Sequence, residues 1–288
     1  MSPKHCIIIA GPTAVGKTAA AIETALALGT EIVSADSRQC FREMKIGVAR
    51  PSEEELATVK HHFIANHSVT ENITAASFAK EGRACLAAIF SRKDHAVVCG
   101  GTGLYIKALV EGLDEIPEID EQFRAQVSLL YAEQGVDALR AELLRLDPDF
   151  ATMGDANNPA RMMRALEVVM ATGEPIRTFQ KGSVMNDEER GFSVRYRILD
   201  LPREELYGRI NSRVDKMVLE GLEEEVRGLM PYRDRPSLQT VGYQEFFDFF
   251  DGKCSREEAI EKIKQHTRNY AKRQITWFKK YVEGGVRG

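Results

Sequence analysis

The sequence contains few cysteines and no long apolar run, and each shortage excludes a class of protein. Five cysteines are scattered over 288 residues with no Cys-x-x-Cys pair, which argues against a disulfide framework and against a thiolate zinc site. No apolar run approaches the roughly 18 residues that a membrane span needs. The first ten residues carry one lysine and a short apolar run, which predicts a first strand and not a signal peptide. We therefore expect a cytoplasmic protein without a membrane anchor.

The formal net charge of −4 conceals a gradient along the chain. Residues 261–288 sum to +6 and the remainder to −10, and aromatic residues are interleaved with the basic ones at Tyr270, Trp277, Phe278 and Tyr281. Such a segment could face a phosphate backbone. Charge alone favours the simpler interpretation, a solvated helix whose aromatic residues pack inward.

A phosphate-binding motif follows the first apolar run. The pattern G-x-x-x-x-G-K-[ST] is matched by Gly11, Pro12, Thr13, Ala14, Val15, Gly16, Lys17 and Thr18. It lies between a predicted strand and a predicted helix, the context that supports the motif. The glycines allow successive N–H groups to point toward one place, Lys17 adds an ammonium, and the Thr18 hydroxyl can hold Mg²⁺. The motif indicates a bound oligophosphate but does not identify it.

Apolar runs and helical patterns alternate through the first 110 residues. Such alternation predicts a parallel sheet buried on both faces, with strands at residues 5–10, 31–35 and 96–99. Three helical patterns without strands follow, at residues 121–133, 136–146 and 159–171, before a strand-like run returns at 194–199. We predict an α/β fold: a P-loop NTPase-like core with a parallel sheet, plus an inserted all-helical domain. The predicted core is residues 1–114 and 191–288, and the insertion is residues 115–190.

Polar residues follow the second and third predicted strands. Asp36 comes directly after EIVSA, and Gly100-Gly101-Thr102-Gly103 follows AVVC. Groups beyond the carboxyl ends of parallel strands face the ligand crevice of an open sheet, so we expect Asp36 and the Thr102 hydroxyl near the phosphate loop. Asp36 could instead cap a turn, and the glycines could serve close packing. Arg161 with Arg164, and Arg209 with Arg213, could clamp phosphates or lie on solvated helix faces.

Seven ordered blocks together resemble the tRNA dimethylallyltransferases (tRNA isopentenyltransferases), from about Ile7 to Phe278. The blocks are GPTAVGKT, SADSRQ, GGTGLY, ARMMRALEV with TGEP, LPREELYGRINSRVDKM with EEEV, TVGYQE and TRNYAKRQITWF. The resemblance implies transfer of a dimethylallyl group from dimethylallyl diphosphate to the exocyclic amine of an adenosine. That adenosine lies 3′-adjacent to the anticodon in tRNAs that read codons beginning with U. The resemblance also implies a P-loop core whose helical insertion binds the anticodon stem–loop.

The resemblance assigns roles to particular residues. The phosphate loop, with Mg²⁺ at Thr18 and help from Arg209 or Arg213, would hold the diphosphate leaving group. Asp36, aided by Thr102, would take the proton of the adenine amine. Contacts to tRNA would come from residues of the second block and of the insertion, namely Ser37, Arg38, Gln39, Arg124, Ala160, Arg161, Met162, Met163 and Arg164, together with Asp36 and Thr102. We expect a monomer.

The sequence departs from the family pattern beside the expected base pocket. Cys40-Phe41 stands where Val-Tyr is usual, and Val48 and Arg50 stand in a block that usually reads IGTAKP. Two hydroxyl groups are thereby lost, so we expect an effect on substrate preference more than on the type of reaction.

Two other functions are compatible with a phosphate loop alone, a small-molecule kinase and an RNA-binding protein without catalysis. No acidic residue ends the third strand and no D-x-x-G motif is present, which counts against a nucleotide-driven motor or switch. A kinase would carry a short arginine-bearing lid, whereas the insertion of some 75 residues favours a large substrate.

Overall fold

The computed structural model describes residues 3–152, 158–180, 182 and 185–283. The strands are β1 (His5–Ala10), β2 (Ile32–Ser34), β3 (His61–His62), β4 (His95–Gly100) and β5 (Ser193–Ile198). The helices are α1 (Lys17–Leu28), α2 (Glu53–Thr58), α3 (Ala75–Phe90), α4 (Gly103–Glu111), α5 (Glu121–Leu146), α6 (Pro159–Thr172), α7 (Asp187–Arg190), α8 (Arg203–Leu219), α9 (Leu222–Gly228), α10 (Gln244–Phe250) and α11 (Arg256–Glu283).

The strands form a parallel sheet in the order β3-β2-β4-β1-β5. The predicted parallel sheet is therefore confirmed. Strand β3 was not predicted, because its two histidines form no apolar run. All carboxyl ends meet at one edge, where Ala10 is in register with Gly100 and with Ile198. That edge carries the loops that follow β1, β2, β4 and β5.

Alternate residues of β1 show why the sheet is buried on both faces. Cys6 and Ile8 belong to an apolar cluster with Leu86 of α3. Ile9 belongs to a second cluster with Ala21 of α1. Successive side chains of a strand point to opposite faces, so each face requires its own helical cover. A nearly continuous apolar sequence is the result.

The chain forms two compact units, residues 1–112 with 185–288 and residues 113–184. The boundaries expected from the sequence, 114/115 and 190/191, differ from this division by a few residues. Residues 185–190 belong to the first unit because the Met185 N–H donates to the Glu111 carbonyl at 3.0 Å. The Arg190 guanidinium likewise donates to the Val110 carbonyl at 3.1 Å.

The second unit contains no strand among its described residues. Its core includes Leu139 and Leu143 of α5 and Leu166 of α6. Gly135 lies within α5 with a φ of 76° and breaks the regular helix, which accounts for the two separate helical patterns in the sequence. Helix α6 begins with an Asn158 cap that accepts the Arg161 N–H at 3.3 Å.

Helix α11 begins at a capping box and packs its aromatic residues inward. Ser255 Oγ accepts the Glu258 N–H at 3.1 Å, as predicted for an N-cap. Phe278 is buried, and the Tyr281 hydroxyl donates to Glu111 at 2.5 Å. The inward-packed interpretation therefore holds for these two aromatic residues. Across the described residues, no helix combines the length and the apolar character that a membrane crossing requires.

We predict opposite effects of alanine at two glycines. A Cβ atom at Gly100 would lie 2.2 Å from the Ala35 carbonyl oxygen, whereas one at Gly208, exposed within α8, would meet nothing within 4 Å. Gly100→Ala should lower the free energy of unfolding by about 1–3 kcal/mol. Gly208→Ala should raise it by about 0.5–1 kcal/mol through helix propensity. Urea denaturation of both variants measures the difference, and equal midpoints would contradict the close packing at Gly100.

Candidate active site

The phosphate loop connects β1 to α1 and depends on three residues with positive φ. Gly11 has a φ of 145°, Ala14 of 65° and Gly16 of 99°. A Cβ atom at Gly11 would lie 2.4 Å from the Leu199 carbonyl oxygen, so only glycine fits at the end of β1. The loop curls so that the Lys17 ammonium donates to the Pro12 carbonyl at 2.7 Å.

Lys17 lies in an environment that disfavours its charge. Burial lowers the pKa of its ammonium to about 8, and Arg213 lowers it further, while Cys99 and Asp36 act in the opposite direction. A buried ammonium next to a guanidinium is stabilised by an incoming anion. The loop therefore favours a ligand that carries several negative charges.

Gln274 joins the phosphate loop to the loop after β4. Its amide oxygen accepts the Thr13 N–H at 2.8 Å, and its amide nitrogen donates to the Gly101 carbonyl at 2.9 Å. The side chain is 6% exposed, so both bonds are shielded from water. The sequence did not predict Gln274 as a site residue, although it lies in the seventh block. An uncharged amide among basic residues matches no motif and gives no charge signal.

Asp36 both caps a turn and faces the cavity described below. Its Oδ1 accepts the N–H groups of Arg38 at 2.9 Å and Gln39 at 3.3 Å. The two alternatives left open by the sequence, a turn cap and a group near the phosphate loop, are therefore both realised. Because the turn uses one oxygen and fixes the carboxyl group, the second oxygen has a defined direction.

Thr102 connects the loops after β2 and β4. Its hydroxyl oxygen accepts the Ser37 N–H at 3.1 Å. The Thr102 N–H donates to the Ala35 carbonyl at 3.3 Å. The neighbouring glycines serve close packing, because a Cβ atom at Gly101 would lie 2.2 Å from the Gln274 amide and one at Gly103 2.4 Å from the Trp277 ring. The packing interpretation of this loop is correct.

A cavity of about 830 Å³ lies at this edge of the first unit. It is lined by Thr13, Ala14, Gly16, Lys17 and Thr18 of the phosphate loop, and by Asp36, Gln39, Arg213, Tyr270 and Gln274. Gly11, Pro12 and Val15 are buried behind that surface. Tyr270 of α11 faces the cavity, so the prediction that the aromatic residues of this helix pack inward is wrong for this residue. Burial raises the pKa of its hydroxyl to about 12.

The two arginines of α8 are placed differently. The Arg213 guanidinium lies 3.4 Å from the Thr13 hydroxyl, and burial lowers its pKa. Arg209 is ion-paired with Glu205 at 2.8 Å on the exposed side of the helix and does not line the cavity. The sequence offered Arg209 and Arg213 as phosphate ligands. The structure brings only Arg213 to the phosphate loop.

Ser37, Arg38 and Gln39 have structural partners. The Arg38 guanidinium donates to the Ser37 carbonyl at 3.1 Å. The Gln39 amide nitrogen donates to the carbonyls of Val48 at 3.2 Å and Ala49 at 3.0 Å. Gln39 thus supports a loop of the cavity wall as well as lining the cavity.

The predicted RNA contacts of the insertion lie in the second unit. Arg124, Ala160 and Arg161 are exposed. Arg164 pairs with Glu167 at 3.3 Å, the simpler alternative considered for that side chain. Met162 is fully buried in the core of this unit, and Met163 packs against the same core. The prediction of an RNA contact by the Met162 side chain is therefore corrected.

Of the four departures from the family pattern, Val48 and Arg50 line the cavity and Cys40 and Phe41 do not. Cys40 and Phe41 are 3% and 2% exposed in an apolar cluster and do not line the cavity. The expected effect of Cys40-Phe41 on substrate preference therefore has no support from a direct contact with the cavity and stays a prediction. Val48 does line the cavity.

A parallel sheet whose first strand leads through a G-x-x-x-x-G-K-T loop into a helix defines a P-loop protein. Residues 39–281 match the family described as IPP transferase. The tRNA dimethylallyltransferases of Cytophaga hutchinsonii and Christiangramia forsetii are 44% and 45% identical to the chain, each alignment covering 97% of this chain and 91% of the relative. The chain belongs to the IPP transferase family.

Similar solved structures also belong to tRNA isopentenyl- and dimethylallyltransferases. The full-length tRNA isopentenylpyrophosphate transferase of Bacillus halodurans superposes with a TM-score of 0.68 at 37% identity, covering 96% of this chain and 87% of that chain. A eukaryotic dimethylallyltransferase acting on tRNA has a TM-score of 0.74 at 27% identity, with coverage of 95% and 69%.

We predict a pH-dependent affinity for inorganic diphosphate, set by Lys17. The ammonium must be charged to attract the ligand, and its pKa is about 8. Affinity should therefore fall as the pH rises through that value, and binding just above it should take up protons. Lys17→Met should weaken binding and remove this component of the pH profile. Lys80→Met, on the exposed surface of α3, should retain it.

Calorimetry in two buffers of different ionisation enthalpy measures both the affinity and the proton uptake. Diphosphate itself titrates in this pH range, and subtracting the Lys17→Met profile from the wild-type profile removes that contribution. Parallel profiles for the wild type and Lys17→Met would contradict the assignment.

Proposed function

We propose that this protein transfers a dimethylallyl group from dimethylallyl diphosphate to the exocyclic amine of the adenosine 3′-adjacent to the anticodon, in tRNAs reading U-initial codons. Its relatives bear the names tRNA dimethylallyltransferase and tRNA isopentenylpyrophosphate transferase. The observation that carries the proposal is that Lys17 of a phosphate loop and the carboxylate of Asp36 line one cavity. Such a cavity can bind a diphosphate leaving group beside a base.

The donor would bind with its diphosphate at the phosphate loop. The Lys17 ammonium and the Arg213 guanidinium line the cavity there, and backbone N–H groups at the start of α1 add partial positive charge. As the allylic C–O bond breaks, the electron pair stays on the diphosphate. These cationic groups stabilise the charge that develops on it.

The acceptor amine would approach the allylic carbon from the side of Asp36. The nitrogen lone pair forms the new C–N bond, and the amine proton passes to the Asp36 carboxylate through the oxygen that the turn does not use. Thr102 holds the neighbouring Ser37 N–H at 3.1 Å and so keeps this turn next to the loop after β4. A base stacked on its neighbours in the anticodon loop cannot reach a cavity, so the adenosine must leave its stack.

A magnesium ion is proposed as the cofactor. The described residues contain no group of three or more His, Cys, Asp or Glu side chains suited to a metal. Thr18 lines the cavity and would offer its hydroxyl to the ion, which leaves the second oxygen of Asp36 to the amine proton. Mg²⁺ usually keeps several waters and binds through one or two protein oxygens plus substrate phosphates, so this sparse donor set fits it. When bound, the ion would neutralise charge on the departing diphosphate.

The tRNA would be held by residues of the turn after β2 and by residues of the helical unit. We assign these contacts to Ser37, Arg38 and Gln39 and to the exposed side chains of Arg124 and Arg161, with Arg164 available if its pair with Glu167 is exchanged for a phosphate. Basic side chains fix a nucleic acid through its phosphates.

We propose that the protein acts as a monomer in the cytoplasm, on free tRNA. The direct test incubates the protein with undermodified tRNA and radiolabelled dimethylallyl diphosphate, without ATP. Label in the tRNA supports the proposal. Phosphoryl transfer from ATP to a small acceptor, or RNA binding without either activity, would replace it.

We predict that Asp36→Asn lowers kcat about 10²–10⁴-fold, the usual contribution of a positioned base, while the Kd for dimethylallyl diphosphate changes little. Asparagine preserves the Oδ1 atom that accepts the Arg38 and Gln39 N–H groups, so the turn should survive. Asp200→Asn is the matched control, because Asp200 also follows a strand end and accepts a nearby N–H, from Leu201 at 2.8 Å, but does not line the cavity. Single-turnover kinetics with both variants decide the point, and a near-normal rate for Asp36→Asn would remove this residue as the base.

A further inference from the structure

One wall of the cavity is a loop without helix or strand. Residues 45–51, here called the wall loop, connect the turn after β2 to α2, and Lys45, Ile46, Val48, Ala49, Arg50 and Pro51 all line the cavity. Its apolar side chains Ile46 and Val48 face the same space as Met217 of α8. Two backbone hydrogen bonds shape the loop, from the Ala49 N–H to the Ile46 carbonyl at 3.0 Å and from the Arg50 N–H to the Lys45 carbonyl at 3.2 Å. Its position at the cavity is set by groups from other segments.

Glu225 of α9 supplies the strongest of these restraints. Its carboxylate accepts three successive backbone N–H groups, from Lys45 at 2.9 Å, Ile46 at 2.7 Å and Gly47 at 3.0 Å. The Tyr243 hydroxyl donates to the same carboxylate at 2.6 Å. Hydrogen bonds to an ionised acceptor are about twice as strong as neutral ones, so four of them fix both the loop and the carboxylate.

The other side of the wall loop is equally constrained. The Arg50 guanidinium donates to the carbonyls of Phe41 at 2.9 Å and Arg42 at 3.0 Å, and Gln39 holds the carbonyls of Val48 and Ala49. Gly47 lies against Tyr243, where a Cβ atom would be 2.6 Å from the ring. The loop is therefore held through its backbone, and Ile46 and Val48 pack against an apolar cluster on one side while lining the cavity on the other.

We propose that Glu225 is a positioning residue that sets the specificity of the cavity for a short allylic chain. Glu225 does not line the cavity itself; it acts by holding Ile46 and Val48 at a fixed distance from the phosphate loop. A rigid apolar wall excludes longer chains by clash, whereas a loose wall accommodates them. This inference rests on the proposed function and extends it to the choice of donor.

The test compares kcat/KM for dimethylallyl diphosphate with kcat/KM for the ten-carbon geranyl diphosphate, using the full-length protein and undermodified tRNA. Glu225→Gln replaces one acceptor oxygen with a donor and should lower the ratio about tenfold, since chain-length discrimination in apolar pockets amounts to 10–200-fold per methylene at most. The change should come mainly from the ten-carbon donor, whose KM should fall because a loosened wall no longer clashes with the longer chain. The Kd for inorganic diphosphate should stay unchanged, because the phosphate loop is untouched.

Glu224→Gln is the matched control, since Glu224 is the exposed neighbour on the same helix and does not line the cavity; its ratio should equal that of the wild type. A ratio for Glu225→Gln within twofold of the wild type would overturn the inference. If that variant does not fold, Tyr243→Phe, which removes one of the four bonds, and Ile46→Ala, which shortens the wall, are judged by the same criterion. Absence of transfer by the wild type would instead count against the proposed function.

Discussion

The site depends on how closely the strand ends of the parallel sheet approach one another. Gly11 lies so near the Leu199 carbonyl, and Gly100 so near the Ala35 carbonyl, that neither position has space for a Cβ atom. This close approach places the phosphate loop, the turn of Asp36 and the loop of Thr102 side by side. Gln274 then bridges two of them with one buried amide. The chemistry proposed for the cavity requires this arrangement of backbone more than any single charge.

The wall loop of the cavity is held by a different principle. There a side-chain carboxylate and a guanidinium satisfy backbone groups of the wall loop from its two sides. Glycine packing fixes distances between loops that follow strands, and ionised side chains fix a loop that no strand supports. In this cavity, the position of the phosphate loop is fixed by backbone packing, whereas the position of the wall loop depends on a few side-chain hydrogen bonds.

Much of the fold could be predicted because its signals are local. Apolar runs marked β1 and β4, the P-loop marked the turn between β1 and α1, and the helical texture after residue 112 marked the second unit. What the sequence could not predict depends on contacts between distant segments. Gln274 lies 261 residues from Thr13, and Glu225 lies about 180 residues from the loop it holds. Arg209 and Arg213 have the same spacing signal on α8, and only the direction of each side chain decides which one reaches the cavity.

The bridge made by Gln274 also bears on synthesis of the protein. Thr13 is synthesised well before its hydrogen-bond partner in α11, which follows it by 261 residues. Domains fold as units, and translation delivers the chain from its N-terminus. The donor pocket is therefore completed only after α11 has been translated, so a nascent chain lacks the finished binding site for pyrophosphate esters until that helix has docked.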